Sequence, residues 1–170
     1  MLHVVGLRQR QMCLRESCVT ARGGPALKGL GWKVISNDWN HYARTIAVAH
    51  VVLDEDRAAE ASTLIDHLRE VPPRAGWFTE TYCHKSRYFT PDNGAVIEGI
   101  REEIEQLDLD DEMRCMALTA LMEAADRVDS TVGVQMAYLK KWATRALQPL
   151  AMRDPQPLPR RPNGKEEPHR

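Results

Sequence analysis

Gly31-Trp32-Lys33-Val34-Ile35-Ser36-Asn37-Asp38-Trp39-Asn40-His41-Tyr42 is the stretch on which the reading of this chain turns. A β-rich run, Trp32 to Ser36, stops at a polar Ser-Asn-Asp. Apolar residues then recur at close to helical spacing, at Tyr42, Ile46, His50 and Leu53. The pattern predicts a strand, a short turn and a helix. In an open α/β sheet ligands sit at the carboxyl ends of the strands, where an acidic residue accepts hydrogen bonds from a ribose diol. Asp38, with Asn37 beside it, stands at that point. The same position also suits a helix cap, with Asp38 or Asn40 bonding the free N–H groups of the next helix.

Working outward, the stretch before it reads as turn and helix. Arg22-Gly23-Gly24-Pro25 is a turn signal, and Ala26 to Gly31 reads as a short helix closed by glycine. Gly23 and Gly24 would let a backbone approach a ligand closely, although Gly-Gly-Pro is also an ordinary turn. Met1 to Thr20 shows neither strand alternation nor a helical stripe, and no element is assigned there.

Downstream the pattern turns helical. Asp54-Glu55-Asp56 suits a helix start, and Ala58, Ala61, Leu64, Ile65 and Leu68 form the buried stripe that follows. Pro72 and Pro73 end it. Arg74 to Asn93 is a long connection rich in aromatic and basic residues, among them Trp77, Phe78, Tyr82, Lys85, Arg87, Tyr88 and Phe89. Loops of that length in a compact domain are usually functional. Rings beside Lys and Arg stack on bases and hold phosphates, while Trp77, Phe78 and Phe89 would equally form a small cluster under the loop.

Thr90-Pro91-Asp92-Asn93 is a helix start, with the hydroxyl as cap and proline in the first turn. Val96, Ile97, Ile100, Ile104 and Leu107 face inward, leaving Glu98, Arg101, Glu102, Glu103 and Glu105 toward solvent. Asp110-Asp111-Glu112 opens another helix, with Met113, Met116, Ala117, Ala120, Leu121 and Ala124 inward. A last helix is expected to carry Tyr138, Leu139, Trp142, Ala146 and Leu147 and to end near Pro149. Ala151 to Arg170, dense in proline and charge, is expected to stay disordered.

The bulk properties set bounds. At 170 residues and a formal net charge of -1, the chain suits one globular domain whose nucleic-acid contacts must come from a local basic patch. No apolar run spans a bilayer, which leads to the expectation of a cytoplasmic protein. The four cysteines, Cys13, Cys18, Cys83 and Cys115, lack the paired spacing of a zinc site and are read as reduced thiols, with no metal expected.

Three blocks carry a resemblance. Lys28 to Tyr42 resembles the second strand and acidic turn of adenine-specific DNA methyltransferases of the Dam-like class. Gly76-Trp77-Phe78 with Tyr82, Arg87-Tyr88-Phe89-Thr90 and Asn93 is similar to that family's next block. Gly133 with Ala137-Tyr138-Leu139-Lys140-Lys141-Trp142 is similar to a third. The resemblance implies an α/β fold: a partial Rossmann-like methyltransferase sheet with a large, mostly helical insertion, so that this chain is predominantly helical. It implies S-adenosylmethionine as cosubstrate, held by Asp38 and Asn37 with Gly23 and Gly24. It also implies double-stranded DNA as partner, contacted by Arg74, Lys85, Arg87, Lys140, Lys141 and Arg145. Residues 1–66 would form the cosubstrate region, 67–150 the helical insertion over DNA, and 151–170 a tail.

The family's aromatic-x-Gly-x-Gly is replaced here by Thr20-Ala21-Arg22-Gly23-Gly24-Pro25, and its Asp-Pro-Pro-Tyr type catalytic motif occurs nowhere in the chain. No catalytic residue is therefore assigned. The expectation is a fragment or degenerate copy of a restriction-modification methyltransferase, inactive alone, with a second polypeptide as one possible source of the missing motifs. The competing expectation is a non-catalytic helical module that binds DNA or protein.

Overall fold

A computed structural model of the chain describes residues 11–14, 23–29, 33–36, 39–133 and 137–157. It divides into two compact units, Met1–Ala58 with Gln156–Arg170, and Ala59–Pro155.

In the first unit, strand β1 (Gln11–Leu14) lies parallel to β2 (Lys33–Ser36), with Gln11 opposite Lys33 and Leu14 opposite Ser36. Parallel strands require a crossover rather than a hairpin. The chain between these two contains helix α1 (Gly23–Gly29). The strand at Gln11–Leu14 falls where no element was expected. Its four residues are too few to show alternation, and strands paired in parallel need not alternate.

Helix α1 also starts earlier than the expected Ala26. Gly24 explains the close packing: a Cβ there would lie 2.6 Å from Cγ2 of Val51. Only a bare Cα lets the first turn sit this near the next helix.

Helix α2 (His41–Ala47) is capped by Asn40, whose side chain accepts from the Tyr42 N–H at 3.0 Å. It runs into a π-helical turn, Val48–Val52. Of the stripe expected at Tyr42, Ile46, His50 and Leu53, Leu53 is buried and Ile46 and His50 are half-buried. Ala43, Ala47, Val48 and Val51 are buried, and Tyr42 is exposed. The π turn holds more residues than an α turn and begins at Val48, so it rotates only the face at His50 and beyond. Lys28, buried at the end of α1, donates from Nζ to the Leu53 carbonyl at 2.6 Å and pairs with Asp54 at 3.1 Å. Asn37, Asp38 and Trp32 lie outside the described residues.

The second unit is helical. Helix α3 (Ala58–Arg69) buries Ala61, Ile65 and Leu68 fully, as its spacing predicts. A short helix α4 (Trp77–Thr79) continues as a π turn, Glu80–His84, inside what reads in sequence as a long loop. Helix α5 (Pro91–Gln106) starts at Thr90, whose hydroxyl accepts from Asn93 N, with Pro91 in the first turn. Helix α6 (Asp111–Arg127) starts at Asp110, which accepts from Met113 N at 2.9 Å. Met113, Cys115, Met116, Ala117, Leu121 and Ala124 bury it on more than one face. No helix among the described residues is long and apolar enough to cross a membrane.

Two departures define this unit. The first is the expected last helix through Tyr138 and Trp142, which is not formed. A single antiparallel bridge joins Thr131 to Tyr138, and only a 3-10 turn, Thr144–Leu147, follows. Side chains elsewhere capture the backbone groups that a helix would have used. Asn93 donates from Nδ2 to the carbonyls of Ala146 (3.1 Å) and Gln148 (2.9 Å) and accepts from Leu150 N at 2.9 Å. Arg69 continues the anchorage, donating to the Met152 carbonyl at 3.0 Å and pairing with Asp154 at 2.9 Å.

The second departure is Glu98, expected toward solvent and only 8 % exposed. Its carboxylate accepts from Gly76 N (2.7 Å), Phe78 N (2.8 Å), Thr79 N (2.9 Å) and the Thr79 hydroxyl (2.7 Å). It thus satisfies the free N–H groups at the start of α4. Gly76 is required there because a Cβ would lie 2.7 Å from Oε1 of Glu98. Gly94 and Gly99 open the same face of α5, to the Cys83 sulfur and the Pro72 carbonyl respectively. Cys83 and Cys115 are buried thiols, and burial together with the Glu98 charge pushes the Cys83 thiol up to about 11.

Burial alone would raise the Glu98 carboxyl, but the bonds from Thr79, Phe78 and Gly76 outweigh it and hold it below the ordinary carboxylate range. A group with a depressed folded pKa stabilises above its unfolded pKa, and that contribution disappears as pH falls through the folded value. Glu98→Gln is therefore expected to cost about 3 kcal/mol near neutral pH, since one acceptor oxygen becomes a donor facing donors. Urea unfolding of both proteins as a function of pH checks this: the gap should close as pH falls through the lowered folded pKa of the wild-type carboxylate.

Candidate nucleic-acid interface

The second and third of the three blocks converge in the second unit. Ser130, fully buried, is the joint between them. Its N–H donates to the Tyr88 carbonyl at 2.7 Å, its carbonyl accepts from Leu139 N at 2.9 Å, and its hydroxyl accepts from Ala143 N at 3.2 Å. Segments 86–89 and 137–143 are thereby held together by backbone bonds. Gly133, at φ 79, permits the left-handed turn that leads out of Thr131.

A chain of rings lies along this region. Trp77 meets Tyr82 edge-on at 5.9 Å, Tyr82 meets Tyr88 at 6.0 Å, and Tyr88 meets Tyr138 at 5.2 Å. Phe78 contacts Tyr82 at 4.8 Å and Phe89 at 5.8 Å from the inner side. Of the three aromatics that sequence allowed as a cluster beneath the loop, Phe78 and Phe89 are half-buried there. Trp77 is not: it is 71 % exposed, and Tyr138 at the other end is 42 % exposed.

The six basic residues expected to contact DNA fall into two groups. Arg74 pairs with Glu102 at 3.6 Å and Glu103 at 3.5 Å. Arg145 pairs with the Asp129 carboxylate and donates from Nε to the Asp129 carbonyl at 3.0 Å. Lys85 lies 3.7 Å from Glu80. These three are at least partly neutralised within the unit.

Arg87, Lys140 and Lys141 are exposed, and among the described residues no carboxylate pairs with them. Arg87 lies over the Trp142 ring at 5.0 Å and donates from Nη1 to the Lys140 carbonyl. The result is a face of exposed rings beside uncompensated cations, which suits a polyanion carrying flat bases.

Of the residues expected at the cosubstrate, Gly23 and Gly24 begin α1. Gly24 is used for packing, whereas a Cβ on Gly23 would meet nothing within 4 Å. Asp38 and Asn37 lie outside the described residues. Glu98 and Ser130 were not legible as organising residues. The one available sign for Glu98 was its place among Gly94, Ala95 and Gly99, on the face of α5 that carries almost no side chains.

The first unit thus has a parallel β-α-β start, and the second is helical with a basic, aromatic face. Residues 24–156 match the model of the D12 class N6 adenine-specific DNA methyltransferases, and the chain belongs to that family. It is similar to the type II methyltransferase M.NlaIII of Neisseria lactamica, 30% identical over 128 residues, which cover 71% of this chain and 38% of that protein. It is also similar to the modification methylase LlaI of Lactococcus lactis subsp. lactis, 28% identical over 155 residues, covering 79% of this chain and 25% of that protein. The chain thus spans between a quarter and two fifths of the length of these relatives. No solved structure matches it.

Replacing Ser130 with Ala removes the acceptor for the half-buried Ala143 N–H and is expected to cost about 1 kcal/mol. Lys85→Ala, at an exposed pair, is expected to change stability by less than about 0.5 kcal/mol. Chemical denaturation of the two variants checks the contrast.

Proposed function

We propose that this chain supplies the cosubstrate-binding start and the DNA-facing helical part of an adenine-specific DNA methyltransferase of a restriction-modification system. The observation that carries the reading is the exposed Arg87, Lys140 and Lys141 beside the rings of Trp77, Tyr138 and Trp142, inside the stretch matched by the family.

In this reading the strands β1 and β2 belong to a larger Rossmann-like sheet. Residues 1–66 hold S-adenosylmethionine, and the helical stretch from residue 67 to 150, strapped down as far as Asp154, lies against double-stranded DNA. Asp38 and Asn37 accept hydrogen bonds from the ribose hydroxyls, and Gly23 gives the backbone room to approach, with Gly24 packed beneath it. The cosubstrate, when bound, supplies the methyl group for the exocyclic amine of adenine. That amine is inaccessible inside the base stack, so the nucleotide must leave the duplex before reaction. Lys140 and Lys141 neutralise phosphates, while Trp77 and Tyr138 offer ring surface to bases. Arg74, Lys85 and Arg145 contribute to the same face only where DNA displaces their carboxylate partners.

The Asp-Pro-Pro-Tyr type motif is not among these 170 residues, so no methyl transfer to DNA is expected from them alone. Incorporation of labelled methyl groups into a duplex by this chain would overturn that. Asp38→Ala is expected to weaken S-adenosylmethionine binding by about 10- to 150-fold, the loss of a charged acceptor. Asn40→Ala, which removes the helix cap, should leave it nearly unchanged. Calorimetry on both variants separates a ribose contact from a cap. Equal effects would return Asp38 to the role of a turn residue.

A further inference from the structure

We propose that Arg87 is a specificity-determining residue that reads the major-groove edge of a guanine, while Lys140 and Lys141 hold phosphates. The proposal rests on the DNA reading above and goes further by assigning base readout to one side chain.

The geometry distinguishes Arg87 from the other cations of the face. Arg74 and Arg145 have carboxylate partners, and Lys140 and Lys141 end long flexible stems in solvent. The Arg87 guanidinium is instead fixed twice without a carboxylate. Its central carbon lies 5.0 Å from the centre of the Trp142 ring, and Nη1 donates to the Lys140 carbonyl. Neither contact cancels its charge. Among the described residues nothing accepts from Nε or Nη2, so one edge of the fork keeps two parallel donors.

Two parallel donors match the O6 and N7 acceptors of guanine, the commonest specific contact made by arginine in the major groove. A phosphate would accept the same fork. It would not need the ring and carbonyl that fix the fork's direction, because a phosphate presents oxygens over a wide range of angles. Holding the side chain in advance removes rotamer entropy that binding would otherwise cost. The support under Arg87 is also rigid: Tyr88 is tied to Ser130 by a 2.7 Å backbone bond and to Tyr82 by another of 3.0 Å.

The test is selection from a pool of duplex oligonucleotides with a randomised centre, using the full 170-residue chain, Arg87→Lys, and the double variant Lys140→Ala, Lys141→Ala. The wild-type chain should enrich guanine at one fixed position. Arg87→Lys keeps the charge but not the fork, and should lose that preference by about 5- to 150-fold while other positions and the salt slope stay unchanged. The double variant should bind all sequences more weakly and lower the salt slope by about 0.9 per lysine, with the guanine preference intact. Uniform weakening by Arg87→Lys, or a guanine preference that survives it, overturns the assignment and leaves Arg87 as a phosphate contact. A wild-type chain that binds duplex with no guanine preference overturns it equally. A chain that binds no duplex overturns the DNA reading itself, and this assignment with it.

Discussion

The second unit depends on one buried carboxylate. Glu98 accepts four hydrogen bonds from Gly76, Phe78 and Thr79, so the start of α4 is fixed by a side chain of α5, about twenty residues away in sequence. An ionised group in that position is costly unless every lone pair is used, and here the use is nearly complete. The glycines around it follow from the same demand. Gly76, Gly94 and Gly99 are places where a Cβ would strike Glu98, Cys83 or the Pro72 carbonyl. Once the start of α4 is fixed, Trp77 is directed outward and Phe78 inward, and the ring series through Tyr82 and Tyr88 has its first member in place.

A second anchor works on the other side of the face. Ser130 and Asn93 take up backbone groups of residues 139 to 150 that would otherwise seek one another in a helix. The segment with Tyr138, Lys140 and Trp142 is held off the helical path, with a bridge at Tyr138 and a bend at Lys140 and Lys141, and this changes which residues share a surface. On a helix, Tyr138 and Trp142 would stand on one side, with Lys140 pointing elsewhere. Held as it is, the segment lets Arg87 reach both the Lys140 carbonyl and the Trp142 ring.

Much of the fold was legible because its signals are local. Thr90-Pro91, Asp110 and the stripe Ala61, Ile65, Leu68 announce their helices through capping and spacing, and the structure has them there. The misreadings came from partners distant in sequence. Glu98 looks like one acid in a charged run, since nothing near it reveals that residues 76–79 close over it. Tyr138 to Leu147 has a helical pattern, but Asn93 and Ser130 compete for its carbonyls and N–H groups. The strand Gln11–Leu14 has too few residues to show a period and takes its identity from β2. The candidate face was legible in composition rather than in arrangement: sequence offers six basic residues as candidates for DNA contact but does not show which of them acids neutralise.

That last distinction decides what the face can do. A patch of six free cations would attract any polyanion, and its affinity would be mostly a function of salt. Internal pairing at Arg74, Lys85 and Arg145 trims this general attraction and leaves charge at Arg87, Lys140 and Lys141, next to the exposed rings. Lys140 and Lys141 are exposed, whereas Arg87 is held by the Trp142 ring and the Lys140 carbonyl. Phosphates tolerate mobile partners because their oxygens accept from many angles. A base edge does not, since its acceptors lie in a single plane at fixed spacing. The buried bonds of Glu98, Ser130 and Asn93 hold the backbone around Arg87, and a held backbone is what the base contact proposed for that guanidinium would require.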